Sequence, residues 1–334
     1  MMVTKRELVE KAFNGEVVDR VPVGFWFHFT EKHEWLNGLE SEEIYQKNLR
    51  GHQNFLKTVQ PDFIKLMSDG FFRYPNPTIH TNLKSAEELN DIKPLPDNHP
   101  WFEKQVQLLK EIKASFEEDI VAVYNIFSPA THLKWQLADE VSSGDDRLAD
   151  LLLENPELVQ NALNVIAEDL AKLVKRLLAE VLIDGIYLSV QKIQDERIAT
   201  DAYPKYIQPA DLIVLEAAEG EKGLNILHIC GYEGATNDVT VFKDYPVKVF
   251  NWAVKPEGIS LKEGRKLFGG KTVLGGFENE KDSLIAHGTR QEIEDEVQAI
   301  LAETGRQGII LGADCTIPSN IDTERIQWVR NAAK

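Results

Sequence analysis

LNILHICGYEG, residues 224–234, is an apolar run that breaks off in a glycine-rich turn. Its first seven residues are few for a helix, and both faces are apolar, the mark of a parallel strand covered on each side. The same character recurs in VPVGFWF (21–27), DFIKLM (62–67), DIVAVYN (119–125), DGIYLSV (184–190), VKVFNW (247–252), KTVLGG (271–276) and GIILGA (308–313). Stretches of helical period lie between them. SEEIYQKNLRGHQNFLKTV (41–59) opens on Ser41 and reads as a capping box. Asn155 and Pro156 open a long helix, 290–305 ends on Gly305, and 322–334 closes the chain as a helix. Eight strands alternating with helices in 334 residues predict an α/β fold, a single (β/α)8 TIM barrel over residues 1–334. An open doubly wound sheet is the alternative, but the Gly-rich dinucleotide turn it usually carries early in the chain is not in the sequence. Residues 1–15 predict an N-terminal helix. The Pro- and Asn-rich stretch at about 68–100 predicts an irregular excursion over the barrel mouth.

Composition narrows the function. A formal charge of −17, from 37 basic and 54 acidic residues, argues against nucleic acid and against an anionic membrane surface. The N-terminal stretch has no continuous apolar core of a signal peptide, and the apolar runs fall far short of a membrane span. A cytoplasmic location is the expectation. There thiols stay reduced, so two cysteines point to metal or chemistry rather than to a disulfide.

His228 and Cys230, two positions apart on one strand, point the same way at its C-terminal end. Cys315 follows the last apolar run, in GADCTIPSN (312–320). Barrel active sites are built on that C-terminal face, so two sulfurs and one imidazole should converge across the mouth. Three soft ligands with a vacant fourth position suit catalytic zinc, and two thiolates neutralise the ion, so a third bound sulfur stays electron-rich. The competing reading is core packing, because a free cysteine is often buried and a lone HxC is a weak motif.

Over nearly its whole length the chain resembles the uroporphyrinogen decarboxylase superfamily of (β/α)8 barrels. The carriers are DRVPVGFW (19–26), DFIKLMSDGF (62–71), DGIYLSV, KVFNWAV (248–254), KTVLGGF (271–277) and the ending GIILGADCTIPSNIDTERIQWV (308–329), in this order and spacing. LHICG (227–231) and the final cysteine turn are similar to the branch of methylcobamide:coenzyme M methyltransferases. That resemblance implies zinc on His228, Cys230 and Cys315, a thiol activated on it, and a methylcorrinoid as methyl donor. It implies a small-molecule thiol and a corrinoid protein as partners; a homodimer is the oligomer expected. The decarboxylase branch is the alternative, with Asp69 meeting the pyrrole nitrogens as the catalytic residue. It fits less well: GFWFHFTEKHEW (24–35) has no arginine to grip carboxylates, the family's tyrosine is replaced near Gln136, and Asp314 and Cys315 stand where its last-turn histidine falls.

Other residues have weaker claims. Glu233, Glu257 and Glu278 follow strands and could fill the fourth zinc position, although a solvated loop acid explains each. Asp314 fits a residue that orients a ligand, or a turn former. His28 and His33 flank an aromatic cluster (Phe25, Trp26, Phe27, Phe29, Trp35) that reads first as packing. Lys192, Arg197 and Lys205 offer positive charge for an anionic thiol, or an ordinary exposed face.

Overall fold

The computed structural model describes residues 3–139, 142–220, 222–231 and 235–334. Eight strands, β1 Val23–Gly24, β2 Phe63–Leu66, β3 Val121–Phe127, β4 Gly185–Val190, β5 Ile226–Ile229, β6 Val249–Trp252, β7 Thr272–Phe277 and β8 Ile309–Ala313, lie where the apolar runs predict them. They form one sheet, all parallel, in the order β1-β8-β7-β6-β5-β4-β3-β2. The sheet curls into a nearly closed (β/α)8 barrel. At the seam between β1 and β2 a carboxylate takes the place of a ladder bond. Buried Asp62 accepts from the Val23 amide at 2.9 Å and from Arg20 at 2.6 and 2.7 Å. Gly24 lets the two strands close, since a Cβ there would fall 2.5 Å from the Phe63 ring.

The helices are α1 Lys5–Phe13, α2 Glu42–Val59, α3 Pro100–Ala114, α4 Pro129–Leu137, α5 Asp145–Glu154, α6 Pro156–Arg176, α7 Gln208–Ala218, α8 Val254–Glu257, α9 Leu261–Leu267, α10 Leu284–His287, α11 Arg290–Thr304 and α12 Glu324–Ala332. Asn155 caps α6 by accepting from the Leu158 amide, and Thr289 with Glu292 makes a full capping box on α11. Ser41 caps α2 by accepting from the Ile44 amide. The expected box is incomplete there, because the third helical position is Ile44 and no side chain returns the bond. Among the described residues no helix is long and apolar enough to cross a membrane.

Two apolar layers result. The larger lies between sheet and helices. The smaller fills the barrel with Trp26, Phe63, Val123, Tyr187, Ile226 and Leu274, and Val9, Ala12 and Phe13 of α1 plug its lower end. Arg6 holds that plug against the loops before β3 and β4, pairing with Asp119 at 2.7 Å and Asp184 at 2.6 Å. Interior packing gives way to polar groups toward the C-terminal face, which is where a barrel opens for chemistry.

The stretch 68–100 takes a different path from the one its composition suggests. Only its start lies at the mouth. Beyond Phe72 it runs along the flank of α6, where buried Asp169 accepts from the Tyr74 hydroxyl and the Leu95 amide, each at 2.7 Å. A buried carboxylate needs such donors, and it ties an irregular backbone to the helix layer.

Candidate metal centre and the cavity above it

His228, Cys230 and Cys315 meet at the C-terminal face. One ligand atom from each lies within 4.8 Å of the others, and no other group of three or more such side chains gathers this way among the described residues. Backbone bonds fix the positions. The Cys230 amide donates to Val190 O at 2.8 Å, and Cys230 O accepts from Gln191 and Asn237, each at 3.0 Å. Cys315 is framed by the Asp314 amide on Phe277 O at 2.8 Å and the Ile317 amide on Trp26 O at 3.1 Å.

The imidazole is oriented from below. Asn251 donates its amide to Leu274 O at 2.9 Å and Ala313 O at 3.1 Å, which leaves its Oδ1 as an acceptor. That oxygen receives the Tyr187 hydroxyl at 2.7 Å and His228 Nδ1 at 2.6 Å. Nδ1 therefore carries the proton and Nε2 has a free lone pair. Nε2 is buried and has no hydrogen-bond partner among the described residues. A buried polar atom without a partner is costly and rare, and this one faces two thiol sulfurs. The Cys315 thiol is drawn well below its ordinary range by hydrogen bonding to Cys230, with His228 and Lys65 adding to that effect against burial. One imidazole lone pair and two ionisable thiols make the donor set zinc prefers, with one tetrahedral position to spare.

Above the trio lies a cavity of about 130 Å³, lined among others by His28, Lys65, Asn125, Ser189 and Asn279. Its wall is aromatic: Trp35, Phe72, Phe127 and Trp135, with Phe72 and Trp135 stacked at 5.5 Å and His28 stacked on Trp35 at 4.1 Å. An adjoining cavity of about 500 Å³ shares Phe127, Trp135, Ser189 and Cys230 and adds the buried ion pair Lys134–Asp145.

Several residues expected at the site are elsewhere. Asp69 is fully buried behind the cavity, and both its oxygens are engaged, by His28 Nδ1 at 2.9 Å and the Phe29 amide at 2.7 Å. His28, not Asp69, meets the cavity. Gln136 donates to Tyr74 O. Glu257 binds Asn237, with bonds of 2.8 to 3.0 Å, and Glu278 pairs with Lys255 at 3.2 Å; neither joins the trio. Glu233 lies outside the described residues. Asp314 is buried, burial pushes its carboxyl up to about 7, and its Oδ1 has no partner among the described residues. Arg197 is occupied by Asp150 and Asp195, each at 2.7 Å, and Lys205 lies over the Tyr206 ring. Lys192 lines a separate small cavity beside Asp238. Phe25, Trp26 and Phe27 are core, and His33 is exposed.

The cation at the site is Lys65, which the sequence reading passes over. In FIKL its side chain shares a face with Phe63 and Met67, and that face is the barrel interior. Its ammonium sits over the Tyr187 ring at 4.1 Å and the Trp26 ring at 5.2 Å. Burial draws its pKa down to about 8, against the attraction of Cys315, Asp69 and Cys230.

The family model described as uroporphyrinogen decarboxylase (URO-D) matches residues 71–334. No curated protein matches the chain in sequence. Among solved structures, a methyltransferase from Methanosarcina mazei is similar at TM-score 0.71 and 15% identity, over 99% of this chain and 98% of that one. A B12-independent methionine synthase from Shewanella sp. W3-18-1, in complex with selenomethionine, is similar at TM-score 0.59 and 12% identity, over 94% and 96%. At such identities the likeness establishes the fold.

Proposed function

The chain belongs to the uroporphyrinogen decarboxylase (URO-D) family, and from that premise we propose that it is a zinc-dependent methyltransferase moving a methyl group from a methylcorrinoid to a thiol. The observation that carries this reading is the buried Nε2 of His228, without a conventional hydrogen-bond partner among the described residues, in a trio whose ligand atoms lie within 4.8 Å of one another. His228, Cys230 and Cys315 would hold the ion. Bound there, zinc supplies the Lewis acidity that keeps an acceptor thiol ionised at neutral pH while leaving its sulfur nucleophilic.

The chain's own residues supply the rest. Asn251 fixes the tautomer and tilt of His228, so that its lone pair faces the sulfurs. The walls of Trp35, Phe72, Phe127 and Trp135 keep water from the reacting sulfur and offer flat apolar faces to a macrocycle. A methylcorrinoid, when bound, would supply the methyl group and keep the carbon–cobalt bonding pair, while the chain would hold the acceptor sulfur, its proton passed to solvent. The corrinoid is proposed to arrive on a separate protein, while the acceptor extends into the cavity of about 500 Å³ next to Cys230.

Porphyrinogen decarboxylation through Asp69 has less support, because both its oxygens are already bound. The test is anaerobic incubation of zinc-loaded protein with methylcobalamin and a panel of small thiols, followed by the absorbance of the demethylated corrinoid. The expected result is thiol methylation that stops when a chelator strips the metal and returns with zinc. No transfer to any thiol, or transfer indifferent to stripping, contradicts the reading.

A further inference from the structure

Lys65 is 4% exposed, and its ammonium makes no hydrogen bond or ion pair among the described residues. Two ring faces touch it, at 4.1 Å and 5.2 Å, and the buried carboxylate of Asp69, itself engaged by His28 and the Phe29 amide, attracts it without forming an ion pair. A buried charge with no counter-ion in direct contact is expensive, and aromatic faces and a carboxylate already bound elsewhere offset only part of that cost. The charge nevertheless lines the same cavity as His228, Cys230 and Cys315.

Adding the charges at this site identifies what is missing. A divalent ion with two thiolates and a neutral imidazole is itself neutral, and so offers Lys65 no partner. One more anion on the ion gives the site a single negative charge, equal and opposite to the ammonium. We propose that Lys65 is the counter-ion of the acceptor sulfur, so that the site selects a ligand binding as an anion and favours a thiolate over water or an un-ionised thiol. This rests on the zinc reading above and goes beyond it: it names the group that helps the acceptor ionise, and it places that group on β2, opposite the metal-binding strands. Tyr187 links the two sides, its ring under Lys65 and its hydroxyl on the same Asn251 oxygen that orients His228.

The experiment compares wild type with Lys65→Met and Lys65→Arg, each loaded with cobalt(II) as a spectroscopic substitute for zinc. Metal per chain is measured first, because wild type that holds no metal defeats the zinc reading and this proposal with it, whereas metal-replete protein isolates the role of Lys65. Titration with 2-mercaptoethanol across pH 5–9 is then followed by the sulfur-to-cobalt charge-transfer band. With Lys65 present, the thiol should ionise on the metal at lower pH. K65M should hold metal fully yet show the band's midpoint raised by about one pH unit or more, a roughly tenfold weaker apparent affinity at neutral pH. K65R should bring the midpoint back toward wild type. K65M should also melt no lower than wild type without thiol, since it removes a buried charge whose desolvation outweighs the attraction of its neighbours. An unshifted midpoint in metal-replete K65M overturns the proposal. So does a K65M protein that is destabilised and metal-poor, because Lys65 would then serve the fold.

Discussion

Cys315→Ala protein should fold, carry less than about a tenth of an equivalent of zinc after dialysis, and transfer no methyl group. The expectation follows from ligand number. With three protein donors and one open position the site already runs at the minimum for a tightly held catalytic ion. Removing one sulfur leaves an imidazole and one thiolate, and the metal gains a net positive charge that one-sided chelation cannot offset. The fold should survive because Cys315 lies beyond the end of β8, is only partly buried, and is framed by backbone bonds of its neighbours that alanine leaves intact. A melting temperature near that of zinc-free wild type, with zinc lost, is the pattern to look for. Full zinc retention would mean that Cys315 is not a ligand.

The second large effect is expected at a residue that touches no metal. Asn251→Leu deletes the acceptor for His228 Nδ1 and the Tyr187 hydroxyl, together with the donors to Leu274 O and Ala313 O. Loss of such an orienting partner weakens metal affinity or activity by about 10- to 100-fold. The buried groups left without partners cost roughly 1–3 kcal/mol each at most, so denaturant stability should fall as well. Asn251→Asp separates the two effects. It keeps an oxygen for Nδ1 but sets a carboxylate against two carbonyls, so stability should fall while zinc affinity stays closer to wild type. Competition with a chromophoric chelator measures the affinities, and urea unfolding the stabilities. Equal zinc affinity in all three proteins would contradict the role assigned to Asn251.

The barrel was legible because parallel strands buried on both faces leave short, unpunctuated apolar runs, and all eight occur. The trio was legible for a related reason: HIC puts two soft donors on one face of a strand end, and barrel closure does the rest. What escaped were polar residues inside such runs. Lys65 in FIKL and Asn251 in VFNW look like interruptions, and only period-two alternation, with Phe63 and Met67 on the same side as Lys65, hints that they point inward. A cation in a loop after a strand is easier to read as a site residue, yet Arg197 is spent on Asp150 and Asp195. The aromatic wall gathers Trp35, Phe72, Phe127 and Trp135 from four separate segments, which no local pattern can foretell. Asp69 was visible as a residue at the functional face, but not that His28 and the Phe29 amide would consume it.

The central claim is one metal ion held by His228, Cys230 and Cys315 with a place kept for an acceptor sulfur. Zinc-edge X-ray absorption on the purified protein, before and after adding thiol, tests it most directly. The account predicts two sulfurs at about 2.3 Å and one nitrogen at about 2.0–2.1 Å in the resting protein, with a light fourth ligand, and three sulfurs once thiol binds. A protein that holds no zinc, or whose sulfur count stays fixed across a saturating thiol titration, contradicts it.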